Sequence, residues 1–298
     1  MAVRIGISGW VYEPWRGVFY PKDLPIKREL SYASTKVSSI EINGSFYANQ
    51  KPSTYQRWSS EVPEDFCFSI KASRFITHIL RLRNCEKALI NFFGSGLLNL
   101  QDKLGAILWQ LPPNLRFDPE EFENFLKLLP QTFSEATQLA DRSERYSRHY
   151  SDEIRNSSRK LKHAFEVRHH SFEDPEFVRL LKKYNCALVF ADTAGKWPYM
   201  EDVTADFIYL RLHGDEEFYT SGYKQSSLLW WADRIRLWQS GTQPRDALTL
   251  TDSSPSKKKR DVFVYFDNDL KVKAPFDAIA LMKILNPDQT DLFTGSPA

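Results

Sequence analysis

Cysteine and net charge are both scarce in this chain, and each scarcity argues against a class of protein. The three cysteines, Cys67, Cys85 and Cys186, lie far apart and form no CxxC pair, which argues against a disulfide framework or a structural zinc site. A formal net charge of +2 provides no strong overall field that would attract nucleic acid or an anionic membrane surface.

Long hydrophobic runs are also missing. No window of the sequence approaches the ~20 apolar residues that a membrane-spanning helix needs. The first residues, "MAVRIGISGW", do not combine a charged region with an apolar run of signal-peptide length. Together with unpaired cysteines, these features predict a cytoplasmic protein with no membrane partner.

The sequence instead contains eight short runs rich in apolar, β-branched and aromatic residues, spread over all 298 positions. Such runs, separated by segments long enough for a helix, are typical of strands in a parallel sheet. The predicted strands are Val3 to Trp10, Ser38 to Phe46, Phe66 to Ser73, Leu104 to Pro112, His163 to His169, Ala187 to Thr193, Phe207 to Gly214 and Asp261 to Asn268.

Amphipathic segments between these runs predict helices, and Asp118-Pro119 and Asp174-Pro175 carry the cap-proline pattern of a first turn. The predicted helices are Thr54 to Val62, Cys85 to Leu100, Pro119 to Leu129, Pro175 to Tyr184, Leu228 to Gln239 and Pro275 to Leu285. Eight strands that alternate with helices predict an α/β fold, a single (β/α)₈ TIM-type barrel over residues 1–298. An open doubly wound sheet is the alternative, although "GISGWVYEPW" lacks its GxGxxG loop.

Two connections depart from the regular alternation. The segment 193–206 is short and contains a proline, so the sixth unit is predicted to be degenerate. The connection between the fourth and fifth predicted strands, 113–162, is long enough for two helices.

Polar residues end almost every predicted strand. In a barrel of this type, the carboxyl ends of the strands face the functional site. Three strands carry two polar residues at a spacing of two, which places each pair on one face of its strand. These pairs are Glu41 with Asn43, Glu166 with Arg168, and Arg211 with His213.

Titratable groups of both signs in one mouth suit acid/base chemistry on an anion. Acid/base catalysis needs two groups whose surroundings push their pKa values apart, and arginine binds phosphate or carboxylate in bidentate fashion. We therefore predict Glu41 and Glu166 as acid and base, and His213 as a proton shuttle. The predicted anion clamps are Lys71, Arg168 and Arg211, the orienting groups are Asp192 and Asp267, and the hydrogen-bonding groups are Asn43 and Gln110.

Aromatic residues crowd the loops beyond the strand ends. Many loop aromatics only anchor their loops, but some could stack on a sugar or base of the ligand. The aromatic residues predicted to contact substrate are Trp10, Tyr12, Tyr47 and Tyr223. A divalent metal is the less favoured alternative. Carboxylate oxygens could bind it, but the interleaved cations would repel it. The four carboxylates are those of Glu41, Glu166, Asp192 and Asp267. The sequence predicts no other cofactor.

The strand ends and their loops resemble the YecE-like family, known as domain of unknown function 72. The resemblance rests on "GISGWVYEPWRGVFYPKDLP", "IEINGSFYANQKPSTYQRW", "FSIKASRFITH", "LGAILWQLPP", "FEVRHHSF", "ADTAG", "FIYLRLHG" and "VYFDND". It covers nearly the whole chain and implies a TIM-type barrel in a bacterial or archaeal cytoplasm, with no established reaction. Compared with this family pattern, 242–260 is predicted to be a flexible insertion at the barrel floor. The end, 288–298, is predicted to be a disordered tail.

The sequence thus favours an acid/base enzyme, a hydrolase, lyase or isomerase, acting on a phosphorylated, sugar-like or nucleotide-like anion. A nucleic-acid binding or processing protein that uses the same aromatic and cationic mouth remains open. So does a barrel that binds a ligand without converting it. The sequence does not determine the oligomeric state.

Overall fold

Eight strands form the centre of the molecule, as the sequence predicts. The computed structural model describes residues 1–146, 150–219, 221–252, 257–268 and 272–287. The strands are Val3–Ser8 (β1), Ser39–Ile42 (β2), Cys67–Lys71 (β3), Leu104–Gln110 (β4), Lys162–Glu166 (β5), Ala187–Asp192 (β6), Phe207–Leu212 (β7) and Asp261–Phe266 (β8). Each pairs in parallel with the next, and β8 pairs with β1, so the sheet closes into a (β/α)₈ barrel.

Helices surround this barrel. They are Glu29–Ala33 (α1), Gly44–Tyr47 (α2), Pro52–Ser60 (α3), Glu86–Gly94 (α4), Pro119–Leu128 (α5), Phe133–Ala140 (α6), Asp152–Arg155 (α7), Pro175–Lys183 (α8), Gln225–Ser240 (α9) and Ala274–Leu285 (α10). The predicted caps are confirmed: the side chain of Asp118 accepts from the Glu121 amide at 3.1 Å, and that of Asp174 accepts from the Glu176 amide at 2.8 Å.

The predicted helix from Cys85 to Leu100 is too long. Helix α4 ends at Gly94, and Gly96 then takes a φ of +106°, which a side chain rarely adopts. A Cβ at Gly96 would also lie 2.5 Å from the Pro52 Cα. The chain therefore turns at this glycine and continues as the 3₁₀ segment Leu97–Lys103.

The irregular connections lie where the sequence predicts them. Residues 193–206, all within the described part of the chain, contain no helix. The β4–β5 connection holds α5, α6 and the short α7, one more helix than predicted.

The segment 242–260 is described up to residue 252 and again from 257. Its described part packs on the β6–β7 connection: Thr251 Oγ1 donates to Asp202 at 2.7 Å, and the Leu248 amide donates to Glu201 at 2.9 Å. These bonds hold the segment locally, while its flexibility stays a prediction. The predicted tail, 288–298, lies outside the described residues.

Alternation along each strand divides the side chains between two sets of contacts. Inward residues of β3 to β8 fill the lumen with small and aromatic side chains, among them Ala106, Leu108, Ala164, Val189, Tyr209, Phe263 and Tyr265. The alternate residues pack against the surrounding helices in the larger core. Only a glycine fits at position 6, between β1 and β2, because a Cβ there would lie 1.7 Å from the Ser39 carbonyl oxygen. Above this filled floor, the lumen becomes polar.

Candidate functional site

Five titratable side chains meet at the top of the lumen, and we call them the lumen cluster. They are Glu41, Glu166, Asp267, Arg211 and His213, contributed by the carboxyl ends of β2, β5, β7 and β8. Tyr209 and Phe263 fill the floor below this cluster. Because inward positions recur every two residues, Arg211, two positions after Tyr209, also points inward. The predicted spacing of two is the reason these groups converge.

Arg211 lies at the centre of the lumen cluster and is fully buried. Its Nε and Nη2 donate to the two oxygens of Glu41 at 3.1 and 2.9 Å. Its Nη1 donates to Glu166 at 2.6 Å and to His213 Nε2 at 3.3 Å, and its Nη2 donates to Asp267 at 2.7 Å. These contacts use all five N–H donors of a guanidinium. Arg211 therefore does not fit its predicted role as an anion clamp and instead positions the carboxylates.

Glu41 is enclosed by donors on both oxygens. Besides Arg211, it accepts from the Tyr209 hydroxyl at 2.6 Å and from Ser8 Oγ at 3.1 Å, and it has no exposed surface. All of its donors lie inside the lumen, whereas Glu166, which is equally buried, is bonded by Arg168 of the mouth. The geometry does not fit the predicted acid role of Glu41.

Glu166 contacts both the lumen cluster and a residue of the mouth. Its Oε1 accepts from Gln110 Nε2 and from Arg168 Nε, both at 2.9 Å, while its Oε2 faces Arg211. Burial alone would raise the pKa of Glu166, but the charges of Arg211 and Arg168 outweigh burial and hold that pKa well below its usual range. Glu166 is therefore a carboxylate at neutral pH.

His213 and Asp267 form the second half of the lumen cluster. Because Arg211 Nη1 can only donate, His213 Nε2 must accept, which assigns the ring proton to Nδ1. Nδ1 lies 3.1 Å from Asp267 Oδ2, so the protonated side of the ring faces this carboxylate. Burial and the Arg211 charge lower the pKa of His213, so it is neutral. Although burial opposes it, the Arg211 charge lowers the pKa of Asp267.

Two cations border the mouth with donors to spare. Lys71 Nζ lies 4.4 Å from the Phe46 ring centroid and makes no hydrogen bond within the described part of the chain. Arg168 bonds Glu166 and contacts the Tyr219 hydroxyl at 3.5 Å, which leaves its Nη1 hydrogens without an acceptor among the described residues. These two side chains, unlike Arg211, can bind a ligand.

The electrostatics of the mouth affect Lys71 and His78. Burial and the Arg211 charge lower the pKa of Lys71 to about 8. Burial, followed by the charges of Lys71 and Arg168, lowers the pKa of His78 to about 4. The His78 ring lies 5.1 Å from the same Phe46 ring that Lys71 covers. The mouth is thus positively charged on the side of β3 and β5.

Asp192 lies outside the lumen cluster, contrary to the prediction. On β6 the inward positions are Val189 and Ala191, so Asp192 points outward to the helices. Its Oδ2 accepts from the buried Tyr223 hydroxyl at 2.9 Å, and burial raises its pKa to about 6. Tyr223 is thereby placed behind the sheet and not in the mouth.

The other predicted contact residues are dispersed around the barrel. Trp10 packs edge-on against Trp58 with ring centroids 5.1 Å apart, and the Tyr12 hydroxyl donates to the Ser8 carbonyl beside the lumen cluster. Asn43 precedes α2 at the end of β2, and its Oδ1 is buried without a partner in the described part of the chain. Tyr47 is exposed.

Sequence reasoning missed Tyr209 and His78. Tyr209 lies two positions before Arg211 on β7, so the same period of two could have identified it. His78 follows β3 in a short π-helical turn, Phe75–Ile79, and no periodicity marks its approach to Lys71. Among the described residues, no group of three or more histidine, cysteine or acidic side chains is arranged as metal ligands, and Arg211 fills the space between three carboxylates.

The comparisons with known proteins agree with this architecture. The family model described as "Protein of unknown function DUF72" matches residues 4–298. The chain belongs to the DUF72 family. This confirms the resemblance that the strand-end motifs indicate.

Curated relatives and solved structures from the DUF72 and UPF0759 groups are similar to this chain. UPF0759 protein YecE of Escherichia coli is 30% identical over 135 residues, which cover 44% of this chain and 46% of that protein. UPF0759 protein YunF of Bacillus subtilis is 28% identical over 116 residues, covering 37% and 40%. The chain therefore matches less than half the length of these curated relatives.

A crystal structure of a DUF72 family protein from Thermotoga maritima has a TM-score of 0.70 and 22% identity, covering 96% of this chain and all of that one. One from Enterococcus faecalis has a TM-score of 0.67 and 17% identity, covering 95% of each chain. Such identities support the fold alone. No helix in the described ranges is long and apolar enough to cross a membrane.

Proposed function

We propose that this DUF72 chain is an acid/base enzyme that acts on an anionic compound at the carboxyl-end mouth of its barrel. The observation that carries the proposal is the contrast between Glu166 and Lys71. The pKa of Glu166 lies well below its usual range, while burial lowers the pKa of Lys71 to about 8. The surroundings thus push the pKa values of these two groups in ways that leave one ionised and one titrating near neutral pH, a pattern that is typical of acid/base sites.

The residues divide into reacting and positioning groups. Glu166 is the base, and Lys71, predicted as a clamp, becomes the acid. Glu41 and Arg211 position Glu166, because one guanidinium bonds both carboxylates. Asp267 is the second carboxylate at the mouth, with 13% of its side chain exposed. His213, which faces Asp267, remains the proposed proton shuttle.

The anionic character of the substrate rests on the free donors of the mouth. Arg168 keeps N–H groups for a ligand, and an arginine fork fits phosphate or carboxylate oxygens. Burial is the main cause of the low pKa of His78, and the charges of Lys71, Arg168 and Arg74 lower it further. The same three positive charges favour an anion at this place.

The anion site is tested with inorganic phosphate as the probe. An anion between Lys71 and Arg168 offsets their charge, so we expect phosphate to raise the pKa of His78, followed by NMR of its ring protons. In Arg168→Met the increase should disappear, while in the surface variant Arg179→Met it should persist. An unchanged His78 titration at about 50 mM phosphate, where even millimolar affinity saturates, contradicts the anion site.

Turnover is tested without assuming a reaction. The purified chain is incubated in D₂O with a metabolite extract, and mass spectrometry follows compounds that disappear or gain deuterium. Glu166→Gln and Lys71→Met should abolish these conversions, whereas the exposed-residue controls Glu176→Gln and Lys183→Met should retain them. Full conversion by both site variants refutes the roles. A metabolite that stays bound and unchanged favours the ligand-binding barrel instead.

Nucleic-acid binding is the second candidate, and a groove beside the mouth favours it. A cavity of about 660 Å³ lies next to the β2 and β3 loops, with exposed Tyr47 and Phe75 on its walls beside Lys87 and Arg145. Exposed aromatics between cations suit stacked bases of a single strand. Binding of single-stranded DNA that weakens steeply with salt, and weakens further in Tyr47→Ala, supports this function. A flat salt response dismisses it.

A further inference from the structure

A second cavity lies outside the lumen cluster, on the outer side of β6. It has a volume of about 610 Å³, which is within the usual range for small-molecule sites. The end of β6, the loop after it and the first turns of α9 enclose it. Its lining includes Asp192, Trp197, Tyr199, Asp215, Trp230 and Trp231.

The walls of this cavity are aromatic. Trp230 and Trp231 meet edge-on at 4.8 Å between ring centroids, and Trp230 is 43% exposed. Trp197 and Tyr199 come from the opposite wall, the loop that replaces a helix in the sixth unit. A loop without a helix at this place leaves the room that a regular barrel unit would fill.

Polar groups with unused bonding capacity line the same cavity. The Nε1–H of Trp197 is buried and has no acceptor among the residues that the structure describes. Asp215 accepts from Ser227 Oγ at 2.8 Å and from the Lys224 amide at 3.2 Å through one oxygen, which leaves the other oxygen free in the described ranges. Asp192 also lines the cavity, but its carboxylate is already bonded by the Tyr223 hydroxyl, the Trp231 side chain and the Ala194 backbone. The ligand must therefore both donate and accept.

The existing cations argue against an organic cation as the ligand. The guanidinium carbon of Arg234 lies 3.9 Å from the Trp230 ring centroid, and Lys196 Nζ lies 5.3 Å from that of Trp197. The chain's own side chains thus already make the cation–π contacts that an aromatic cage would offer to a ligand. Trp230 is nevertheless 43% exposed, so part of its ring stays available to a neutral group.

We propose that this cavity, the tryptophan pocket, binds a neutral saccharide ring. Ring C–H groups pack against the exposed part of the Trp230 indole, and a sugar hydroxyl donates to the free oxygen of Asp215. A sugar oxygen accepts from the buried Trp197 Nε1–H and satisfies it. A polyhydroxylated ring supplies the apolar face, the donors and the acceptor at once.

The test uses the full-length chain and ¹⁵N-edited NMR of its indole N–H groups. Glucose, ribose, N-acetylglucosamine and maltose are titrated separately, with tetramethylammonium as a cationic probe. Trp197→Phe identifies the Trp197 resonance by its loss. We expect at least one sugar to shift this resonance with a saturable curve. Trp230→Ala should raise the Kd of that sugar about tenfold, because stacking on one indole is lost. The control Leu237→Ala changes an exposed apolar residue of the same helix and should leave Kd unchanged.

Three results would overturn the proposal. They are no saturable shift with any sugar at about 50 mM, tighter binding of tetramethylammonium than of every sugar, and a sugar Kd that Trp230→Ala leaves unchanged. Because the Arg168 guanidinium carbon lies 5.6 Å from the Trp197 ring centroid, the sugar titrations are run without phosphate and the phosphate titration without sugar, so that failure of either site is recognised without the other.

Discussion

Replacing Arg211 by methionine tests whether this guanidinium holds the lumen cluster together. The substitution keeps an unbranched side chain but removes the group that bonds Glu41, Glu166 and Asp267. Each of the three carboxylates keeps another polar contact, so none of them is left without a polar partner in the variant. Breaking a buried ion pair by removing one partner costs about 3–5 kcal/mol.

The expected fall in melting temperature follows from the size of the chain. An unfolding entropy of about 2.1 cal/mol/K per residue over 298 residues corresponds to about 0.6 kcal/mol per degree. A loss of about 3–5 kcal/mol therefore lowers Tm by about 5–8 °C. Such a loss is a large part of the about 5–15 kcal/mol that stabilises a typical domain.

The loss should also depend on pH. In the parent chain, the pKa values of Glu166 and Asp267 are lowered on folding, so their contribution to stability is full above the unfolded pKa values and fades as pH falls. Without Arg211, less positive charge opposes burial, so these pKa values are higher than in the parent chain. The variant then gains less stability than the parent as pH rises, so the difference in free energy of unfolding should be larger at pH 7 than at pH 4.5.

Urea unfolding followed by tryptophan fluorescence, at several pH values between 4.5 and 7.5, measures both effects. Arg179→Met is the control, because Arg179 pairs with Glu176 on the exposed surface of α8 and should leave Tm unchanged. A loss below about 1 kcal/mol at pH 7, or a loss equal at both ends of the pH range, would refute the assignment of Arg211 as the cation that stabilises these carboxylates.

Three further predictions concern the lumen and the mouth. Tyr209→Phe removes the 2.6 Å hydrogen bond to the buried Glu41 and should cost about 1.5–3 kcal/mol in urea unfolding; a cost near zero means that this carboxylate does not need the hydroxyl. Gly6→Ala should prevent soluble folding, because its Cβ would overlap a carbonyl oxygen of β2, while Gly44→Ala, with its nearest atom at 3.6 Å, should fold with an unchanged melting curve. Because burial lowers the pKa of Lys71 to about 8, its acetylation by acetic anhydride should reach half its maximum near pH 8, measured by peptide mass spectrometry against the exposed lysines; parallel pH profiles contradict this.

Much of the fold was predictable from local patterns. Runs such as Ala187 to Thr193 and Phe207 to Gly214 are apolar, short and bounded by turn residues, and they form β6 and β7. Their ends are shorter in the structure because the last residues leave the ladder to begin the loops. The break at Gly96 was not predicted, because an apolar run continues through it and only the contact with Pro52 reveals the need for a glycine.

The site was predictable in part. The spacing of two correctly paired Glu166 with Arg168, since these side chains contact each other at 2.9 Å. The same rule, applied to the small inward residues of β6, would have turned Asp192 away from the lumen. The roles of Glu41 and Lys71 could not be predicted, because burial and hydrogen-bond saturation depend on neighbours from distant strands.

Local sequence patterns specify the eight strands, their order, the polar character of their ends and the face on which each paired residue lies. These properties are local, since the period of two and the propensities of neighbouring residues specify them. Only the closed barrel decided which charges meet. Arg211 lies within hydrogen-bond distance of carboxylates that are 170, 45 and 56 positions away, and that convergence leaves Lys71 and Arg168 as the cations with free donors.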